Sequence, residues 1–151
     1  LDERQLMYRT PRQTALRFFI KLIYETRDGS NIFVPEHLET IRQIEGQIYR
    51  SPSFKQFCLA DNWGLCDNPI SVVNYFYASV DANSGDVVPD GRGTRLLPIQ
   101  TMLAQLGTEN TYFVDRYFGV STAELQAALE SNITRSVFRF GLPLNGFSGP
   151  Q

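Results

Sequence analysis

The chain is poor in the residue types from which active sites are most often built. It has one histidine (His37), one tryptophan (Trp63) and two cysteines (Cys58 and Cys66) in 151 residues. One histidine leaves a zinc site short of ligands, and the two cysteines lack Cys-x-x-Cys spacing, so neither a metal pair nor a redox pair is expected. No Gly-x-Ser-x-Gly elbow is present to expose a serine nucleophile. Gly91-Arg92-Gly93 lacks the rest of a phosphate loop. Neither sign of charge dominates: 14 basic and 16 acidic residues give a net charge of −2, which argues against an electrostatic nucleic-acid binder, since that needs a basic face. Nor does any stretch approach the roughly 20 apolar residues that span a bilayer. The longest candidate, Ala15 to Tyr24, is broken by Arg17 and Lys21. The opening LDERQLMYRTPRQ is polar and is no signal peptide. Any secretory routing is therefore expected from sequence outside this chain, which reads as a fragment of something larger.

What is present suits one packed domain. Hydrophobic residues make up 42% and aromatics 13%, enough to fill a single core at this length. Residues 1–13, polar and containing Pro11, read as a linker, 14–147 as a single domain and 148–151 as a tail. From Thr14 the pattern has a period of two. Leu16, Phe18, Ile20, Leu22 and Tyr24 share one face, and Arg17, Lys21 and Glu25 the other, which predicts a strand with one buried face. The cluster Arg27-Asp28-Gly29-Ser30-Asn31 ends it.

A helix follows. Pro35 suits its first position, Glu36 and Glu39 its positive end and Arg50 its negative end. Val34, Leu38, Ile41, Ile44 (or Glu45) and Ile48 form its apolar stripe, and Ser51-Pro52 stops it. The run Ile70 to Tyr77 fits a short helix or a buried strand. Residues 79–95, rich in Asp, Gly, Asn and Ser, predict a long surface loop. A second helix is expected from Pro98, with Ile99, Met102, Leu103 and Leu106 on one face and Gly107 just after it. Thr111 to Gly119 is aromatic and ambiguous. Ser121 and Glu124 have capping-box spacing for a third helix, with Leu125, Ala128 and Leu129 facing inward. Ile133 to Phe140 reads as a closing strand, ended by Gly141-Leu142-Pro143. The order predicts an α+β fold: a small antiparallel or mixed sheet with helices packed on one face.

The stretch from Ser51 to Tyr77 organises the rest, since it holds both cysteines and the tryptophan. Cys58 and Cys66 read as a structural disulfide or as free buried thiols. A disulfide would staple a short loop and hold Trp63 and Leu65 at a fixed place on the surface.

The order of these features resembles the first large extracellular domain of Dispatched-like and Patched-like transporters, in the resistance-nodulation-division superfamily. The resemblance starts at the strand ALRFFIKLIYE (Ala15–Glu25) and a turn with Asp28-Gly29. It continues through Ile41, Ile44 and Ile48, then Ser51-Pro52-Ser53-Phe54 leading to Phe57-Cys58. The second cysteine is followed by Pro69 and Ser71, then by Asn74-Tyr75. Phe113-Val114-Asp115-Arg116-Tyr117-Phe118 and the terminal Ile133 to Phe147 complete it. The chain has two cysteines where animal Dispatched domains carry several more, which suggests a simpler relative.

The resemblance implies a ferredoxin-like, porter-type sandwich on the extracellular or luminal side of a membrane. It implies no catalytic residue and no cofactor. The implied partners are the second extracellular domain of the same transporter and a sterol, a lipid or a lipid-modified protein. Trp63, Tyr75, Phe76, Tyr77, Tyr112 and Phe113 are the candidate lipid- or partner-facing residues, although such aromatic runs also suit a core. Asn132-Ile133-Thr134 is a glycosylation sequon, which makes Asn132 a candidate modification site.

The remaining residues have plainer readings. His37 lacks an identifiable nucleophile partner and reads as a surface histidine. Asp81 to Asp86 has the alternating oxygens of a calcium loop. However, Gly85 comes one position early and Arg92 stands where a closing glutamate belongs, so a solvated loop is expected. Glu36 and Glu39 read as complements to a helix dipole. Two other classes of function remain: a secreted or surface protein-binding module built on the stapled loop, and a small intracellular enzyme dependent on His37.

Overall fold

The structure, a computed structural model, describes residues 13–109 and 130–142. Several expectations lie outside these residues: the linker up to residue 12, the aromatic stretch with Tyr112 and Phe113, the helix from Ser121, and the chain beyond Leu142.

In chain order the elements are strand β1 (Ala15–Glu25), helices α1 (Pro35–Arg50), α2 (Pro52–Phe57) and α3 (Val73–Phe76), strands β2 (Ser79–Val80) and β3 (Val87–Val88), helix α4 (Ile99–Glu109) and strand β4 (Ile133–Leu142). They give two small antiparallel sheets, β1 with β4 and β2 with β3. This is the α+β class that the pattern predicts. The chain divides into two compact units, each built from separated segments. Of the described residues, unit one comprises 13–20, 46–69 and 137–142, and unit two 21–45, 70–109 and 130–136.

Unit one packs around Phe54, which is 4% exposed. Its ring meets Phe138 and Phe140 of β4 edge-on, with centroids 5.5 and 5.6 Å away, and Tyr49 at 5.7 Å. Phe54 is placed by α2, a helix the sequence reading missed. Ser51-Pro52 does stop α1, but it also starts α2. The Ser51 hydroxyl accepts from the Phe54 amide at 3.2 Å, and Pro52 takes a position where no amide hydrogen is needed.

Two further expectations change in this unit. Gln13 is not loose linker: it is 5% exposed, and its side-chain amide donates to the Cys58 carbonyl at 2.7 Å. A Cβ on Gly141 would overlap the Gln13 carbonyl oxygen, so these two backbones touch and only glycine fits. Leu16, Phe18 and Ile20, expected in the core, are 56, 52 and 47% exposed. A sheet face is buried only where a second layer covers it. In unit one α2 covers β4 through Phe54 and leaves the start of β1 open.

Unit two packs around Phe33, Leu38, Phe76 and Leu103, each 2% exposed or less. Phe33 and Phe76 stand 5.9 Å apart. Along α1 the buried positions are Leu38, Ile41 and Glu45, while Ile44 is 38% exposed. The inward residue of that turn is therefore the glutamate. The run from Ile70 resolves as a short helix, α3. In α4, Met102, Leu103 and Leu106 are buried as expected, and the helix continues through Gly107 to Glu109. Leu22 and Tyr24 of β1 are half-buried. The 79–95 loop contains the β2–β3 hairpin, registered Ser79 to Val88 and Val80 to Val87.

Candidate functional site

The expected staple is present: Cys58 and Cys66 form a disulfide with their Cα atoms 5.6 Å apart. The loop between them is ordered by its own backbone. Ala60 and Cys66 form an antiparallel bridge, and the Asp61 amide donates to the Leu65 carbonyl at 2.9 Å. One Asp61 carboxylate oxygen accepts from the amides of both Trp63 and Leu65, each at 2.9 Å. Gly64 turns the chain with φ +80°, a value an L side chain rarely adopts.

The base of the loop is tied down as well. The Tyr49 hydroxyl donates to the Cys66 carbonyl at 2.9 Å, and Asp67 pairs with Arg139 at 3.0 Å. On this rigid tip Trp63 is 85% exposed and Leu65 66%. Two large apolar side chains thus stand in solvent on a covalently closed loop, whose backbone has little conformational entropy left to lose.

Unit two holds a cleft of about 640 Å³, a volume in the usual range for small-molecule sites. Its apolar wall is Ile23, Ile32, Ile41 and Ile44, and its polar edge includes Arg27, Asp28 and His37. The Asp28 carboxyl lies below its ordinary pKa because the Ser30 side chain and amide hydrogen-bond to it. The Thr26 and Thr40 hydroxyls donate to the carbonyls of Ser30 at 2.7 Å and Glu36 at 2.8 Å. His37 thus lies among hydroxyls already engaged with backbone.

Glu45 is 4% exposed. Its Oε1 accepts from the Ser71 hydroxyl at 2.7 Å and also from the Ser136 hydroxyl. Burial pushes its carboxyl up to about 7, against the opposing effect of the hydroxyl donors Ser136 and Ser71. Tyr24 is itself pushed up to about 12, chiefly by burial. Ser71 also accepts from the amide of Val73, the first residue of α3, at 3.1 Å. No sequence motif marks this cluster. Its one signal is an acidic residue inside the apolar stripe of α1.

The structure corrects the list of outward-facing aromatics. Phe76 is 0% exposed and Tyr77 4%. Phe76 packs on Phe33. The Tyr77 hydroxyl donates to Glu39 at 2.9 Å, and the Arg42 guanidinium sits 4.0 Å over its ring. Arg42 also donates to the Gly93 carbonyl at 2.8 Å. Phe76 and Tyr77 are therefore core positions, while Tyr75 is half-buried and, among the described candidates, Trp63 alone is fully outward. Glu39, with its pKa lowered mainly by the Tyr77 hydrogen bond, is a structural anchor. In the hairpin loop, Asp81 Oδ1 accepts from the amides of Asn83 and Ser84, both at 2.8 Å, and so holds the turn. Asn132 is exposed, whereas Thr134 of its sequon is 1% exposed. Among the described residues no group of three or more histidine, cysteine, aspartate or glutamate side chains could hold a metal ion, and no helix is long and apolar enough to cross a membrane.

Comparison with known proteins bears out the resemblance read from the motifs. The chain is 32% identical, over 149 aligned residues that cover 89% of it, to Protein dispatched homolog 3 of mouse. The chicken and human proteins of the same name match at the same 32% identity and 89% coverage. The chain spans 10% of the length of each of these relatives. No family model matches the chain. No solved structure matches it.

Proposed function

We propose that this Dispatched-like chain is an extracellular or luminal domain of a membrane transporter. In this reading it is non-catalytic and supplies part of the path for a sterol, a lipid or a lipid-modified protein. The observation that carries the reading is the similarity to Dispatched homolog 3 across 89% of the chain, at 10% of the relatives' length. A domain-sized piece of a much longer polypeptide fits that proportion. The disulfide favours an oxidising compartment. The second extracellular domain of the same polypeptide is the proposed partner, and Asn132 the proposed glycosylation site.

Surface chemistry supports a role in contact rather than catalysis. Trp63 and Leu65 stand out on the stapled loop, and the Thr26 and Thr40 hydroxyls that line the cleft with His37 are engaged with backbone carbonyls. The exposed tip also favours a second reading, a secreted or surface protein-binding module, which needs no membrane at all.

The test is topological. An epitope placed at Ser84, in the exposed hairpin loop, is followed in the full-length protein. Antibody should reach it on intact cells or, for an internal membrane, only after all membranes are opened. Access once the plasma membrane alone is permeabilised would place the domain in the cytosol and defeat the reading. Release of the epitope into the medium as a soluble protein would favour the secreted module.

A further inference from the structure

In unit one the sheet has two strands but only part of its covering layer. On β4, Phe138 is 2% exposed beneath Phe54 of α2. Phe140 lies on the same face, 5.6 Å from Phe54 on one side. On its other side it stacks on Phe18 of β1 at 4.8 Å, with ring planes 7° apart. Phe18 therefore belongs to the core face, one strand further out. There the cover ends: Leu16, Phe18 and Ile20 alternate along this face and are 56, 52 and 47% exposed. These three positions form an uncharged strip about 13 Å long at the usual rise of a strand. Arg17, which falls between them, points to the opposite face by strand periodicity.

An apolar strip continuous with a packed core is incomplete in water, because each half-exposed leucine, isoleucine or phenylalanine forgoes the stabilisation of full burial. The occupant can be inferred from two observations. The layer is started by a helix, α2, so its continuation over β1 is a helix about 10 Å above the sheet. The chain corresponds to 10% of its relatives' length, so most of such a polypeptide lies outside residues 1–151.

We propose that the Leu16–Phe18–Ile20 face of β1 is covered by an amphipathic helix from the same polypeptide outside residues 1–151, which extends the layer that α2 begins over β4. This rests on the reading of the chain as one domain of a longer transporter and specifies where that domain meets the remainder. Specificity follows from shape: the stacked rings of Phe18 and Phe140 form one continuous aromatic surface, and the helix must bring small or branched apolar residues to it at i, i+3 and i+4 spacing.

The experiment uses the full-length protein in its own membrane. A photo-crosslinking phenylalanine analogue replaces Phe18 and, in a second variant, Ile20. Irradiation is followed by peptide mapping. A crosslink within one polypeptide to a peptide beyond residues 1–151 is the expected result. A crosslink to a second copy, to lipid, or to residues 1–12, 110–129 or 143–151 of this chain would overturn the proposal. In parallel, Phe18→Cys is labelled with a maleimide against Ser53→Cys, an exposed control on α2. Residue 18 should react more than about tenfold slower than residue 53 in native protein and equally after denaturation. Equal native rates would also overturn it. Failure of the topological test with a crosslink beyond residue 151 would reject the ectodomain reading alone. The converse would reject only this surface.

Discussion

The Ser71 hydroxyl donates to Glu45 Oε1 across 2.7 Å, in a site where Ser136 donates to the same oxygen. Two neutral donors on one oxygen do not offset the desolvation of a carboxylate, so the acid is raised from its ordinary value to about 7. The folded state therefore binds this proton more tightly than the unfolded chain. Stability from Glu45 is intact below pH 4.5 and falls as pH rises through 7, by about 3 kcal/mol in all. Thermal melts at pH 5 and pH 8 should show the loss, and Glu45→Gln should remove most of the difference. A pH profile unchanged by Glu45→Gln would refute this.

Breaking the staple should cost stability without rearranging unit two. The Cys58–Cys66 bridge closes a loop with a sequence separation of 8, for which the chain-entropy account gives about 2–3 kcal/mol. Cys58→Ser with Cys66→Ser should lower the denaturation midpoint accordingly, and reductant should do the same to the native chain. A midpoint indifferent to reductant would show that the backbone bonds of Asp61 and the Tyr49 tie hold the loop unaided.

Gly141→Ala tests the close approach to Gln13. The added methyl meets a backbone carbonyl oxygen rather than a flexible side chain, so one of the two backbones must shift, at about 1–3 kcal/mol. Chemical denaturation of the variant measures it. A neutral result would mean that Gln13 is easily displaced, and the hydrogen bond from its side-chain amide to the Cys58 carbonyl would then be of little consequence.

Trp63→Ala should separate stability from function. At 85% exposure the indole contributes little to the fold, and the melting curve should move by less than about 0.5 kcal/mol. Export or binding by the full-length protein should drop severalfold if the tip is a contact point. Retained activity at normal expression would remove Trp63 from the functional surface.

The sequence was most informative where local chemistry and periodicity agree. Pro35 and the apolar stripe of α1 marked a helix that the structure confirms, and the spacing of Met102, Leu103 and Leu106 marked α4. Short elements were harder. Ser51-Pro52 is as good a start as a stop, and α2 has too few residues to show a period. The alternation in β1 identified the strand but misjudged its burial, because alternation reports which residues share a face and says nothing of whether a layer lies over it. Phe76 and Tyr77 stand in sequence as candidates for either a core or a binding face, because aromatic runs suit both. Only their neighbours, Phe33, Glu39 and Arg42, decide between the two. Glu45 was hidden for a related reason: a carboxyl in an apolar stripe gains its meaning from Ser71 and Ser136, far away in the chain.

The contact between Gln13 and Gly141 has a mechanical consequence. Because β1 begins where antiparallel β4 ends, Ala15 and Leu142 lie at the same end of the strand pair. Tension applied between these two residues would act across the pair, along its hydrogen bonds, which lie perpendicular to the strands. Such a load unzips bonds in succession from one end instead of shearing them all together. The first to part would be the rung beside Gly141, and the neighbouring Gln13 tie to the stapled loop would then act as a brake on the opening.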